Sequence, residues 1–260
     1  MQDIILFSVA TLPVILLGMY IYKKDKNKES PRLLTKLFLG GIISCFMVLI
    51  ISFILELIFP FFALEEETLN YFELIISVFI GVALVEEVCK WIIVYVISYN
   101  DNEYEEIYDS IVYCTFVALG FAFFENLFYV YESGIGTGIM RAILSVPGHV
   151  CDGVFMGYYL GLAKQSIING NKKLATKNLI LSILVPTILH GIYDYCLFTG
   201  NNYFLLIFII FVIVVYVLAL KKIKTLSSIG RKFKNNDNYC TNCGTPVNGN
   251  YCVICGKKHN

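Results

Sequence analysis

ELIISVFIGVALVEEVCKWIIVYVIS occupies residues 73–98. A membrane span takes about 20 mostly apolar residues, and this stretch is long enough. It nevertheless carries Glu86, Glu87 and Lys90 in its interior, where ionisable groups are costly and mark function by default. Two more apolar runs precede it, at residues 3–22 and 37–59. Four follow, at 107–131, 139–163, 179–198 and 203–220. The pattern predicts an all-α polytopic membrane helix bundle of about seven spans. Composition agrees. The 260 residues are 57% hydrophobic and 15% charged, with Lys+Arg and Asp+Glu both at 20. Soluble domains sit near roughly 45–50% apolar and about 25% charged, so a water-soluble enzyme is excluded. Disorder over most of the length is excluded as well, and no overall basic footprint for nucleic acid is present. Nine cysteines are too sparse for a secreted disulfide scaffold.

The first run is not a cleaved signal peptide. Met1-Gln2-Asp3 lacks a basic residue, and lysines rather than small residues follow the run. Loop charge predicts the orientation. Lys23, Lys24, Lys26, Lys28, Arg32 and Lys36 follow the first run. Lys164, Lys172, Lys173 and Lys177 follow the fifth, and Lys221, Lys222, Lys224, Arg231, Lys232 and Lys234 follow the seventh. On the opposite side, residues 60–72 hold no base and 132–141 hold only Arg141. Sixteen against one places the amino end outside and the carboxyl end in the cytoplasm. The two halves show no self-similarity of the kind seen in many transporters.

Spans three to six carry Glu86, Glu87, Lys90, Glu125, His149, Asp152, His190 and Asp194. Glu86 and Lys90 stand at i,i+4 with the acid first, the favourable order for an ion pair. His149 and Asp152 share a face at i,i+3, as do His190 and Asp194 at i,i+4. At about 1.5 Å per residue, Glu86 lies roughly 20 Å from its outer span end, Glu125 roughly 9 Å, His149 roughly 15 Å and His190 roughly 12 Å. These depths form one layer. Taken singly, Glu86–Lys90 also fits a neutral structural pair, and each histidine an interhelical hydrogen bond. Four helices bearing such groups at one depth point instead to a shared, water-containing site. Cys45, Cys89, Cys114, Cys151 and Cys196 lie in apolar context, where cysteine acts as a small hydrophobe.

Val85-Glu86-Glu87-Val88-Cys89-Lys90 reads EExxK. Phe121 to Asn126 reads FxxxEN, Arg141 to His149 supplies a histidine helix, and His190 to Asp194 reads HGxxD. In that order the motifs resemble the PrsW family of intramembrane proteases over about residues 70–200, a family similar to the CAAX prenyl endopeptidases. Those relatives have EExxxR, FxxxH and HxxxN. Here the base comes one position earlier, Glu125 stands for the histidine and Asp194 for the asparagine. The resemblance implies an intramembrane endopeptidase in the bacterial plasma membrane. Its substrate would be another membrane protein, cut within or just outside its span. It implies a glutamate-type hydrolase, with Glu86 or Glu87 as general base on water and the other acid or Lys90 tuning it. His149 and His190 would orient the water, donate to the oxyanion or protonate the leaving amine. Glu125 and Asp194 would fix histidine tautomers or share protons. Two histidines plus acids also match a catalytic zinc shell, but helix-borne HExxH is absent. The sequence therefore assigns no catalytic cofactor.

After Leu220 the composition changes. Residues 221–237 form a basic linker facing anionic lipid, and residues 238–260 hold Cys240, Cys243, Cys252 and Cys255 in a CxxCG-x7-CxxCG pattern. Four thiolates so spaced suit a structural Zn²⁺, with the glycines permitting tight turns. A reducing cytoplasm argues against two local disulfides, and so short a segment needs the metal to fold. The expectation is a small cytoplasmic zinc ribbon appended to a transmembrane domain at 1–220. Docking of a cytoplasmic protein partner, redox sensing and tail stability all remain open as its role, and no nucleic acid is expected as a partner. Two other functions stand beside the protease. One is a proton-coupled transporter, since buried acids and histidines also build proton relays. The other is a membrane scaffold that works through the ribbon without catalysis.

Overall fold

The computed structural model describes residues 2–63, 70–229, 240, 247, 250–252 and 256–258. Among these the chain forms eight α-helices and no β-strand. They are α1 (Gln2–Lys24), α2 (Pro31–Ile58), α3 (Tyr71–Ile76), α4 (Val85–Ser98), α5 (Ile107–Ile143), α6 (Ser145–Ile168), α7 (Lys172–Phe198) and α8 (Asn202–Ile229). A π-helical segment, Ser77–Leu84, joins α3 to α4, and a short 3₁₀ turn, Pro60–Ala63, follows α2. Local chemistry sets the ends. Ser30 caps α2 by accepting the Leu33 N–H, with Pro31 at the first helical position. Asn70 and Glu73 form a capping box at the start of α3, and the Asn171 side chain caps α7.

Five segments are long and apolar enough to cross a membrane: Asp3–Lys24, Pro31–Ile58, Ile107–Ile168, Lys172–Phe198 and Asn202–Ser228. The sequence pattern suggested seven. The segment of 62 residues runs through both α5 and α6, and so contains two of the expected spans. Residues 71–98 are divided among α3, the π-helical segment and α4. Large apolar side chains face outward along α1, α2 and α8, among them Leu16, Leu49, Phe53, Ile210 and Val217. The buried interior instead holds Glu86, Glu87, Lys90, His149, Asp152 and His190. Such an inverted surface suits lipid rather than water, and the chain is an integral membrane protein.

Helix α5 lies at the centre, packed on α1, α2 and α6. It approaches α6 closely because Gly153, Gly157 and Gly161 form a stripe of small residues. A Cβ at Gly157 would lie 2.4 Å from the Ser110 carbonyl oxygen. Near its end, α5 leaves helical geometry at Gly134, where φ is +83°, a region other residues rarely enter. The chain doubles back there. Gly138 returns to pack against Val130 and Val9, and Arg141 reaches Glu125 and Asn126.

In the tail, Cys243 and Cys255 lie outside the described residues. Cys240 and Cys252 are buried. The Cys252 carbonyl accepts the Gly256 N–H at 2.8 Å, and the Cys252 N–H donates to the Lys257 carbonyl at 2.8 Å. Gly256 has a φ of +72°, and Tyr251 bridges Lys258 in antiparallel fashion.

Candidate active site

The π-helical segment ends at Leu84, one residue short of the acidic pair Glu86-Glu87. π-turns are rare and recur at functional sites because they re-phase a helix. Phe79 in this segment packs on Gly191 of α7, where a Cβ would lie 2.5 Å from the ring. That close approach sets His190 beside the first turn of α4.

All seven residues singled out from the sequence converge. Glu87 is 0% exposed, Lys90 2% and Glu86 7%. The Lys90 ammonium donates to Glu86 Oε2 at 3.0 Å, Glu87 Oε1 at 2.8 Å and His149 Nδ1 at 3.3 Å. It also lies 3.9 Å from the centre of the Phe121 ring, a cation–π contact strengthened by exclusion of water. An ammonium has three protons and no acceptor, so these three partners exhaust it. His149 Nδ1 is then an acceptor, and its proton sits on Nε2, which donates to Glu125 Oε2 at 2.9 Å.

His190 mirrors this arrangement from α7. Its Nδ1 lies 3.0 Å from Glu87 Oε1, and its Nε2 lies 3.2 Å from Asp194 Oδ2 and 3.9 Å from Glu86 Oε2. The two imidazole centres are 5.4 Å apart and nearly perpendicular. Each histidine thus has a carboxylate behind Nε2 and turns Nδ1 toward the acids of α4.

A cavity of about 540 Å³ opens onto this cluster. It is lined by Glu86, Glu125, Arg141, His149, His190 and Asp194 on the polar side, and by Phe211, Val212 and Val215 of α8 on the apolar side. Glu87 does not reach it. The Tyr216 hydroxyl ties α8 to the α5–α6 junction by donating to the Ile143 and Leu144 carbonyls. Reasoning from sequence left three polar side chains here without a role. Arg141 donates to Glu125 Oε2 at 2.7 Å and to Asn126 Oδ1 at 3.2 Å. Asn126 donates to the Ala10 carbonyl at 3.1 Å. Asp152, 7% exposed, lines the cavity one turn beyond His149. The signal for Arg141 was its standing as the lone base among the loops of its side.

The cluster can hold a cation. One donor atom from each of Glu86, Glu87, His149 and His190 lies within 4.8 Å of the others. Glu87 Oε2 is buried with no hydrogen-bond partner, an arrangement costly for a carboxylate unless a cation shares it. Imidazole with carboxylate is the donor set of catalytic zinc sites. Carboxylates on the far nitrogens of both imidazoles are the outer support such sites use.

The description "PrsW family intramembrane metalloprotease" matches residues 29–220. Protease PrsW of Oceanobacillus iheyensis is 35% identical over 219 residues, covering 84% of this chain and 94% of that protein. Protease PrsW of Geobacillus kaustophilus is 33% identical over 231 residues, covering 87% and 94%. Protease PrsW of Bacillus subtilis is 33% identical over 225 residues, covering 85% and 97%. No solved structure matches. The family description and the buried donor set together revise the reading without a catalytic cofactor. HExxH spacing is no guide here, because these donors come from three separate helices.

Proposed function

Because the chain belongs to the PrsW family of intramembrane metalloproteases, we propose that this intramembrane peptidase hydrolyses a peptide bond of another membrane protein, with Glu86 activating the water. The observation that carries this reading is the convergence of two acids and two histidines from α4, α6 and α7 in one buried cluster, of which Glu86, His149 and His190 line the cavity. Glu86 is favoured over Glu87 as base because it faces the cavity, whereas Glu87 is walled off behind it. Glu86 takes a proton from water and returns it to the leaving nitrogen. Lys90 bridges the two carboxylates and holds them in register, and Glu87 anchors His190. Glu125 and Asp194 hold His149 and His190 by Nε2. Glu87, His149 and His190 would hold a divalent ion such as Zn²⁺, which supplies Lewis-acid polarisation of the scissile carbonyl. The apolar wall from α8 suits a substrate helix arriving from the bilayer.

The wider organisation belongs to the same proposal. Residues 1–220 would form a seven-span protease domain with the amino end outside, a reading supported by the Lys/Arg distribution. Residues 221–237 would be a basic stretch leading out of the membrane domain, with 221–229 still helical as the end of α8. Residues 238–260 would be a cytoplasmic ribbon with Cys240, Cys243, Cys252 and Cys255 on a structural Zn²⁺, open to a cytoplasmic partner. The hydrogen bond from the Gly256 N–H to the Cys252 carbonyl and the φ of +72° at Gly256 support it. The test of function is cleavage of a single-pass reporter protein in liposomes. Glu86→Gln should fold and insert like the parent and abolish cleavage. Undiminished cleavage by that variant, or proton flux without cleavage in the parent, overturns the reading.

A further inference from the structure

Arg141 is the only Lys or Arg between residues 132 and 144, and the fold goes to some length to deliver it. Gly134 reverses the chain, Gly138 lets the returning segment close on Val130 and Val9, and the guanidinium lies 4.1 Å over the Tyr129 ring. Its Nη2 donates to Glu125 Oε2 at 2.7 Å, and its Nε donates to Asn126 Oδ1 at 3.2 Å. Asn126 is itself pinned to the Ala10 carbonyl at 3.1 Å. The Glu125 oxygen that Arg141 grips is the one that His149 Nε2 reaches at 2.9 Å. Two donors from different segments therefore meet on one carboxylate oxygen, and the planar guanidinium, itself held by Asn126, fixes that oxygen with a charge-assisted hydrogen bond.

We propose that Arg141 is a positioning residue for the hydrolytic centre. By clamping Glu125 it keeps the His149 proton on Nε2 and the Nδ1 lone pair directed at Lys90 and the α4 acids. This rests on the functional reading above. Arg141 acts through Glu125 and His149 rather than on substrate, so its removal lowers turnover and leaves substrate affinity alone. Loss of outer support of this kind typically costs about 10–100-fold in activity or metal affinity.

The experiment compares Arg141→Gln, Arg141→Lys, Glu125→Gln and the double variant R141Q/E125Q in liposomes with a single-pass reporter. R141Q is expected to lower kcat by about 10–100-fold with KM within about twofold. The double variant should be no slower than the slower single variant, because residues that act as a unit are not additive. Lysine cannot span both Glu125 and Asn126, so R141K should fall between parent and R141Q. A second readout uses Zn²⁺ alone against a chelating dye, in protein whose four tail cysteines are serine. R141Q should weaken Zn²⁺ binding by a factor similar to its loss in kcat. Three results overturn the proposal: a raised KM at unchanged kcat, which makes Arg141 a substrate contact; multiplicative losses in the double variant; or unchanged Zn²⁺ affinity in R141Q. Should R141Q not fold, R141K carries the test, and parental kcat and Zn²⁺ affinity in R141K overturn it. If the parent cleaves no reporter, the functional reading fails, while the Zn²⁺ comparison still decides the role of Arg141.

Discussion

Lys90→Met removes the ammonium and keeps a side chain of similar length. The ammonium lies 3.0 Å and 2.8 Å from two buried carboxylates, and Lys90 itself is 2% exposed. Removing one partner of a buried pair leaves an uncompensated charge and costs about 3–5 kcal/mol. Here two like charges on adjacent residues lose their common partner, so the upper end of that range applies. For a chain of this size each kcal/mol moves the unfolding midpoint by about 2–4 °C, giving an expected fall of roughly 10–20 °C. The assay is thermal unfolding of purified protein in detergent, with chelator present so that no divalent ion substitutes for the ammonium. The second variant is Lys90→Met with Glu87→Gln, which removes one of the stranded charges and should recover a large part of the loss. A midpoint within about 2 °C of the parent in K90M, which is under about 1 kcal/mol, would refute the reasoning. So would a double variant less stable than K90M, because either result means the ammonium does not hold the acids together.

Other consequences are open to measurement. Gly157→Ala puts a Cβ 2.4 Å from the Ser110 carbonyl oxygen and must part α5 from α6, at a cost of about 1–3 kcal/mol. Cleavage should fall with stability because Glu125 and His149 ride on those two helices, and a variant as stable as the parent would contradict the close approach. Glu29, in the loop between α1 and α2, accepts a hydrogen bond from the Tyr113 hydroxyl at 2.7 Å. Burial, aided by repulsion from Asp109, Asp25 and Glu103, pushes its carboxyl up from 4.5 to about 9. The folded chain then binds a proton that the unfolded chain gives up, so stability falls as pH rises from about 4.5 to about 9 and levels off above. Glu29→Gln should flatten that slope in unfolding midpoints taken across the interval, and parallel profiles would contradict it. Metal analysis should find a tail-bound zinc that Cys240→Ser with Cys252→Ser removes, and unchanged zinc content would count against the ribbon.

The all-helical character was legible because lipid admits few alternatives: a long apolar run has to become a helix that satisfies its own backbone. Convergence of Glu86, Glu87, Lys90, Glu125, His149, His190 and Asp194 was legible for the same reason. Each ionisable group in a span must turn inward, and the i,i+4 spacings placed partners on common faces. The features that aim the site were not legible. Ser77–Leu84 reads as an ordinary apolar helix, and nothing in SVFIGVAL announces a π-helical turn. Gly134, Gly136 and Gly138 read as a plain loop, whereas the reversal at Gly134 is fixed by contacts of Gly138 with Val9 and Val130 that only the folded chain contains. Arg141 therefore stood at the head of the histidine motif without a role. The zinc-like donor types were legible, but not their grouping, because the donors are spread over α4, α6 and α7, where no local spacing shows that they meet.

The most direct measurement of the hydrolytic centre is metal-dependent cleavage by protein whose four tail cysteines are replaced by serine, so that any bound ion belongs to the bundle. Reporter cleavage in liposomes should vanish after chelation and return on adding about one equivalent of Zn²⁺, and should not return in His149→Ala or His190→Ala. Cleavage that continues through chelation and survives both histidine substitutions would contradict the account.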